Sequence, residues 1–146
     1  MEPKHFYEVD LTWNEGKTGT LSSAILNKTI QCATPPEFTG GVPGIWSPEH
    51  LYAAAINSCF MATFLAIAAN FKLPFHSFSC KVICTLEQQD GRLQVSEATL
   101  FPQVGLNSSA DTEKAMRVLE KSKAACLITN SIKTDIALKP EITAKN

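Results

Sequence analysis

Cysteine is the residue type in this 146-residue chain with the clearest chemical potential. Five are present, Cys32, Cys59, Cys80, Cys84 and Cys126. An odd number at irregular spacing does not read as a secreted disulfide framework. In a reducing compartment, the default expectation here, a cysteine pair serves catalysis or redox sensing more often than structure. Cys80 and Cys84 stand four apart in an alternating apolar segment and read as small buried hydrophobes. Cys32 falls at a strand end and is uninformative. Cys59 sits in the middle of an Ala-rich segment, and Cys126 follows an amphipathic one. For either to react, something must stabilise a thiolate, because burial alone raises a thiol pKa. The histidines His5, His50 and His76 are scattered and complete no closely spaced Cys or His set, so no metal site and no cofactor is expected. On residue types alone, the reading stops at a cytosolic α+β domain with a candidate dithiol pair.

The elements that must position these thiols are organised around Ser47 to Asn70. Ser47 is a good N-cap, Pro48 suits the first helical position, and Glu49 complements the positive end of the helix dipole. No charged residue lies between Glu49 and Lys72. A helix apolar on every side is expected to be buried on every side. Its length approaches that of a membrane span, but it carries Asn57, Ser58 and Thr63 and owes much of its apolarity to alanine. A core helix is therefore expected, with no membrane partner.

Strands are expected at His5–Trp13, Thr20–Ile25 and Thr29–Ala33, forming a meander. A Pro/Gly-rich loop, 34–46, follows; loops of that length commonly overlie a site. After the central helix, Ser77–Gln88 and Arg92–Phe101 form a hairpin about Asp90-Gly91, with Pro102 ending the second strand. Residues Asp111–Ala125 form an amphipathic helix, with Ala115, Val118, Leu119, Ser122 and Ala125 on its apolar face. A last strand spans Ile132–Ile142. The element order predicts one α+β domain, residues 1–146, with mainly antiparallel pairing. The net charge of −1 and the scattered basic residues exclude a nucleic-acid backbone as partner. No charged segment followed by an apolar run opens the chain, so no secretory signal is expected.

The segment SPEHLYAAAINSCF resembles the signature of the OsmC/Ohr family, the osmotically induced and organic-hydroperoxide-resistance proteins. Trp13, Gly16-Lys17 and Gly19-Thr20 resemble that family's first hairpin. Phe38-Thr39-Gly40-Gly41 resembles the loop before its helix. Ala125 to Ser131 (ACLITNS) resembles its second-cysteine motif. The resemblance covers residues 5 to 142 and implies an intertwined homodimer, a mainly antiparallel sheet wrapped around a buried central helix, and sites at the interface. It further implies a thiol peroxidase in which Cys59 reduces an organic hydroperoxide and becomes a sulfenic acid. Cys126 would resolve it to a disulfide, and a dithiol reductant, in one branch of the family a lipoylated protein, would reset the pair.

Glu49 matches the family's active-site glutamate. The arginine usual in the first hairpin is absent, and Lys17 is the nearest replacement, a cation without the planar fork of guanidinium. Glu49 and Cys59 are ten residues apart, about 15 Å of rise along one helix. If they cooperate, they do so across a two-fold axis or from a frayed first turn. Phe38, Trp46 and Phe60 are expected to line an apolar substrate pocket. Two other functions compete with catalysis: a non-catalytic dimer of this fold binding an apolar small molecule, and a thiol redox sensor.

Overall fold

Seven strands and two helices make up residues 2–145, which the computed structural model describes. These residues fall into two compact units that meet in sequence at Tyr52 and Ala53.

The first unit holds an antiparallel meander of β1 (Asp10–Glu15), β2 (Thr18–Ser22) and β3 (Ile30–Ala33). Pairing of β1 with β2 begins at Asp10↔Ser22. Residues 2–9 have no partner strand among the described residues, so β1 is shorter than the expected His5–Trp13. The β2 strand ends where Leu26 N–H turns back onto the Ser23 carbonyl, at 3.1 Å. The loop that follows is irregular, as its prolines and glycines require. It is tied to β3 by the Ala33 N–H, which donates to the Trp46 carbonyl at 2.9 Å.

Helix α1 (Pro48–Asn70) begins as expected. Ser47 is 1% exposed, and its Oγ accepts from the His50 N–H at 3.1 Å, the capping bond that satisfies one free donor of the first turn.

In the second unit, β4 (Ser77–Gln89) and β5 (Arg92–Leu106) form a long antiparallel hairpin. Asp90 (φ 51°) and Gly91 (φ 79°) both take positive φ at its tip. Such a two-residue turn matches the twist of the flanking strands. Strand β5 is central, flanked by β4 on one side and by β6 (Asp135–Leu138) and β7 (Glu141–Ala144), both parallel to it, on the other.

Two expectations fail here for one reason. Pro102 does not end β5, and the last strand is two strands rather than one. The Leu100 and Leu106 carbonyls accept from Lys139 and Lys145, so the even-numbered residues of β5 face β6 and β7. Pro102 therefore directs its missing N–H at the gap between Leu138 and Glu141, where no ladder bond is needed.

Helix α2 (Thr112–Ala125) follows a 3₁₀ turn (Ser109–Asp111), whose first free donor, the Ala110 N–H, is capped by Ser108 Oγ at 3.2 Å. Ala115, Val118, Leu119 and Ser122 are fully buried. Ala125, expected on the same face, is exposed. The core joins α2 to β5 residues Ala98, Leu100, Val104 and Leu106 and to one stripe of α1: Ile56, Phe60, Phe64 and Ala68. Phe64 stacks on Phe78 of β4 with ring centroids 4.4 Å apart and meets Phe75 edge-on at 5.3 Å.

All-round burial of α1 is not reached within the chain. Its buried residues recur every fourth position, while Met61 and Leu65 stay 45% and 44% exposed. One face of one sheet can cover only one stripe of a helix. By length and composition alone, α1 also satisfies the requirement for crossing a membrane.

Candidate active site

Cys59 and Cys126 are brought together in the second unit, each thiol affecting the ionisation of the other, and they are not bridged. Cys59 lies at mid-helix on α1, and Cys126 is the residue at which α2 stops, its backbone turning extended at ψ 116°. Cys59 is half-buried; Cys126 is fully buried.

Behind Cys126 the chain makes a single tight turn. The Asn130 N–H donates to the Cys126 carbonyl at 3.0 Å, and the Ser131 N–H donates to the Ile128 carbonyl at 3.0 Å. Short polar side chains complete it, as is usual where such residues compete for backbone groups. Thr129 Oγ1 donates to the Cys126 carbonyl at 3.1 Å. Ser131 Oγ donates to the Leu127 carbonyl at 2.8 Å. Asn130 Nδ2 reaches back to the Ala124 carbonyl in the last turn of α2 at 3.1 Å.

Backbone N–H groups of the same turn bear on the ionisation of both sulfurs. Those of Ile128 and Leu127 lower the pKa of Cys59, and that of Thr129 lowers the pKa of Cys126. Thr63, one helical turn beyond Cys59 and so on the same face, donates to the Cys59 carbonyl at 2.8 Å and also lies against its sulfur.

The electrostatic result differs between the two thiols. Burial opposes a Cys59 thiolate. The Ile128 N–H, the Cys126 thiol, the Thr63 hydroxyl and the Leu127 N–H outweigh it and hold the Cys59 pKa below the ordinary thiol value. Burial pushes Cys126 up. The Thr129 N–H and hydroxyl oppose the rise, while the hydrogen bond to Cys59 and its charge reinforce it. The two thiols therefore differ in acidity: Cys59 ionises more readily than an ordinary thiol, and Cys126 less readily. The other half-buried thiols of this unit have no such support. Burial pushes Cys80 to about 11, with only the Phe101 backbone opposing, and raises Cys84 as well.

Four residues expected at the site belong to the first unit. Lys17 is exposed, and its aliphatic stem runs along Gly40. A Cβ added at Gly40, which has φ +80°, would stand 3.2 Å from Lys17 Cγ. Phe38 is half-buried in the irregular loop, its carbonyl accepting from the Gly41 N–H at 2.9 Å. Trp46 is 53% exposed and packs edge-on to His50 at 6.3 Å. With Ile30, Gln31 and Gly44 it lines a hollow of about 240 Å³. Glu49 stands in the first turn of α1, and its Oε1 is buried with no hydrogen-bond partner among the described residues.

Phe60, expected in a substrate pocket, is fully buried and stacks on Phe78 at 6.4 Å. Its position one residue after Cys59 turns it onto the core stripe of α1. Sequence reasoning missed Thr63 and the N–H groups of Leu127, Ile128 and Thr129. The signal for Thr63 was its place four residues after Cys59. For the backbone donors the only signal was the run Thr129-Asn130-Ser131, residue types prone to bind backbone.

A family model for OsmC-like proteins matches residues 41–141. No curated protein matches the sequence. Among solved structures, an OsmC-like protein of unknown function from Vibrio cholerae superposes with a TM-score of 0.84 at 21% identity, over 94% of this chain and 99% of that one. An organic hydroperoxide resistance protein from Elizabethkingia anophelis gives 0.75 at 19% identity, covering 98% of this chain and all of the other. The organic hydroperoxide resistance protein OhrB of Bacillus subtilis gives 0.68 at 18%, over 93% and 98% of the two chains. At these identities the superpositions speak for the fold, and the family match spans more than two thirds of the sequence. The chain belongs to the OsmC-like family.

Proposed function

We propose that this protein is a thiol peroxidase that reduces organic hydroperoxides with Cys59 and resolves the product with Cys126. The observation that carries the reading is the juxtaposed Cys59–Cys126 pair, in which one thiol is made more acidic than usual and its neighbour less so. Some of the proteins with this fold carry the name organic hydroperoxide resistance protein.

In the first step the Cys59 thiolate attacks the terminal oxygen of the hydroperoxide. The O–O bond breaks, its electron pair leaves on the alkoxide, and the alkoxide takes a proton to become the alcohol. Cys59 is oxidised by two electrons to the sulfenic acid. Its negative charge is then gone, and with it one cause of the raised Cys126 pKa. The resolving thiol thus becomes easier to ionise only when it is needed. Cys126 attacks the Cys59 sulfur, the S–O bond breaks, water leaves and a disulfide forms. A dithiol reductant, such as a lipoylated protein, restores both thiols by exchange.

A homodimer in the cytoplasm belongs to this reading. Met61 and Leu65 are apolar and exposed on α1, and Glu49 Oε1 is buried without a partner. A second copy would cover the former and supply the latter. Single-turnover oxidation by one equivalent of cumene hydroperoxide, followed by mass-spectrometric mapping of the disulfide, tests the proposal.

A further inference from the structure

Trp46 is exposed yet firmly placed. Its carbonyl accepts from the Ala33 N–H at 2.9 Å, a single bridge that sets it alongside Cys32 of β3. Its ring meets that of His50 edge-on. A hollow of about 310 Å³ is lined by Gly44, Ile45, Trp46 and His50. It shares the first three of these with the hollow of about 240 Å³ that Ile30 and Gln31 also line, so the two meet at Trp46. Neither is lined by an acidic side chain. An apolar wall with a few placed polar groups is the usual make-up of a small-ligand site. At Gly44, with φ 80°, a Cβ would meet nothing within 4 Å, so the chain itself leaves this space open.

The polar group at the site is fixed by a buried neighbour. Ser47 is 1% exposed, and its Oγ accepts from the His50 N–H at 3.1 Å. A buried hydroxyl proton needs an acceptor, and His50 Nδ1 stands 2.7 Å from the same oxygen. With Ser47 donating to Nδ1, the neutral imidazole carries its proton on Nε2. His50 is an exposed side chain, so the ring brings a donor, not an acceptor, to the hollow beside the Trp46 indole.

We propose that the paired hollows about Trp46 bind a small planar aromatic carboxylate, its ring against Trp46 and its carboxylate accepting from His50 Nε2–H. A carboxylate is acceptor-only and matches a donor with no acid beside it among the lining residues. A flat ring matches an indole that the chain leaves half open. The site uses neither Cys59 nor Cys126, so it goes beyond the peroxidase reading and stands without it.

The test is equilibrium dialysis of the full-length protein against 2-naphthoate and against 2-methylnaphthalene, which has the same rings and no acceptor, with circular dichroism confirming the fold of each variant. The parent should take up 2-naphthoate more tightly. His50→Phe keeps a ring and the backbone N–H that Ser47 caps, but it has no donor. It should weaken 2-naphthoate about tenfold, the loss of a hydrogen bond to a charged group, and leave 2-methylnaphthalene as in the parent. Trp46→Leu should weaken both ligands about fivefold through the lost ring contact. Both positions are exposed, so loss of fold is not expected; should one variant unfold, the other decides. No uptake of 2-naphthoate by the parent, or uptake no tighter than that of 2-methylnaphthalene, would overturn the proposal. So would parent-like binding of 2-naphthoate in folded His50→Phe or Trp46→Leu. Dialysis involves no peroxide, so a protein inert to hydroperoxide would refute the peroxidase and leave this site to be decided by the binding data alone.

Discussion

Replacing Cys126 by alanine should both raise the pKa of Cys59 and stop its oxidation at the sulfenic acid. The first effect follows from the thiol donated by Cys126 to the Cys59 sulfur. A hydrogen bond to a charged group contributes about 1.5–3 kcal/mol, and a thiol is a weak donor, so the low end applies. The Cys59 pKa should therefore rise, and below it the thiolate fraction should fall about tenfold. Cys126→Ser separates the two effects. It keeps a hydroxyl donor beside Cys59 and should leave the alkylation profile near that of the parent, yet it has no sulfur with which to form the disulfide. Both variants should accumulate sulfenic acid after peroxide treatment, measurable as a dimedone adduct on the Cys59 peptide. An unshifted alkylation profile in Cys126→Ala would refute the electrostatic reasoning. A Cys59 disulfide formed as fast in either variant as in the parent would refute the assignment of the resolving thiol.

Three further outcomes follow from the fold. Phe64 is fully buried between Phe75 and Phe78, so Phe64→Ala should cost about 3–5 kcal/mol, read as a lowered denaturation midpoint; a loss under about 1 kcal/mol would contradict the packing. Gly91 has φ 79° with open space where a Cβ would go. Gly91→Ala should thus cost about 1–2 kcal/mol from backbone conformation alone, and an unchanged midpoint in urea would contradict the two-residue turn. The reduced protein should lose stability as pH rises from 9 toward 11. Cys80 is pushed to about 11 by burial, so the folded state holds its proton more tightly than the unfolded chain, and the stability present below the unfolded pKa is lost as pH climbs through that window. Thermal denaturation in Cys80→Ala should show a shallower decline over the same range, and an identical decline would refute this source.

The parts of the fold legible in the sequence are those whose signals are local. Ser47-Pro48-Glu49 marks the start of α1 because capping, proline geometry and dipole charge act within one turn. Asp90-Gly91 marks the hairpin because both residues tolerate positive φ, as they adopt here. The apolar face of α2 is read from its period, except at Ala125 in the last turn.

What was not legible depends on neighbours distant in sequence. Pro102 looks like a terminator until β6 and β7 are seen to leave a gap opposite it. The exposed flank of α1 could not be foreseen, since apolarity alone does not say how many faces the chain itself can cover. At the site, the two sulfur atoms were suggested by motif and spacing. The donors that tune them are main-chain groups, and the only trace they left was the run Thr129-Asn130-Ser131, three residues prone to bind backbone.

The most direct measurement is single turnover. Reduced protein is mixed with one equivalent of cumene hydroperoxide, quenched by alkylation within seconds, and mapped by mass spectrometry. The account predicts a Cys59–Cys126 disulfide with one equivalent of alcohol released, and no disulfide in Cys59→Ser. Both thiols still reduced after minutes, or a disulfide that forms without Cys59, would contradict it.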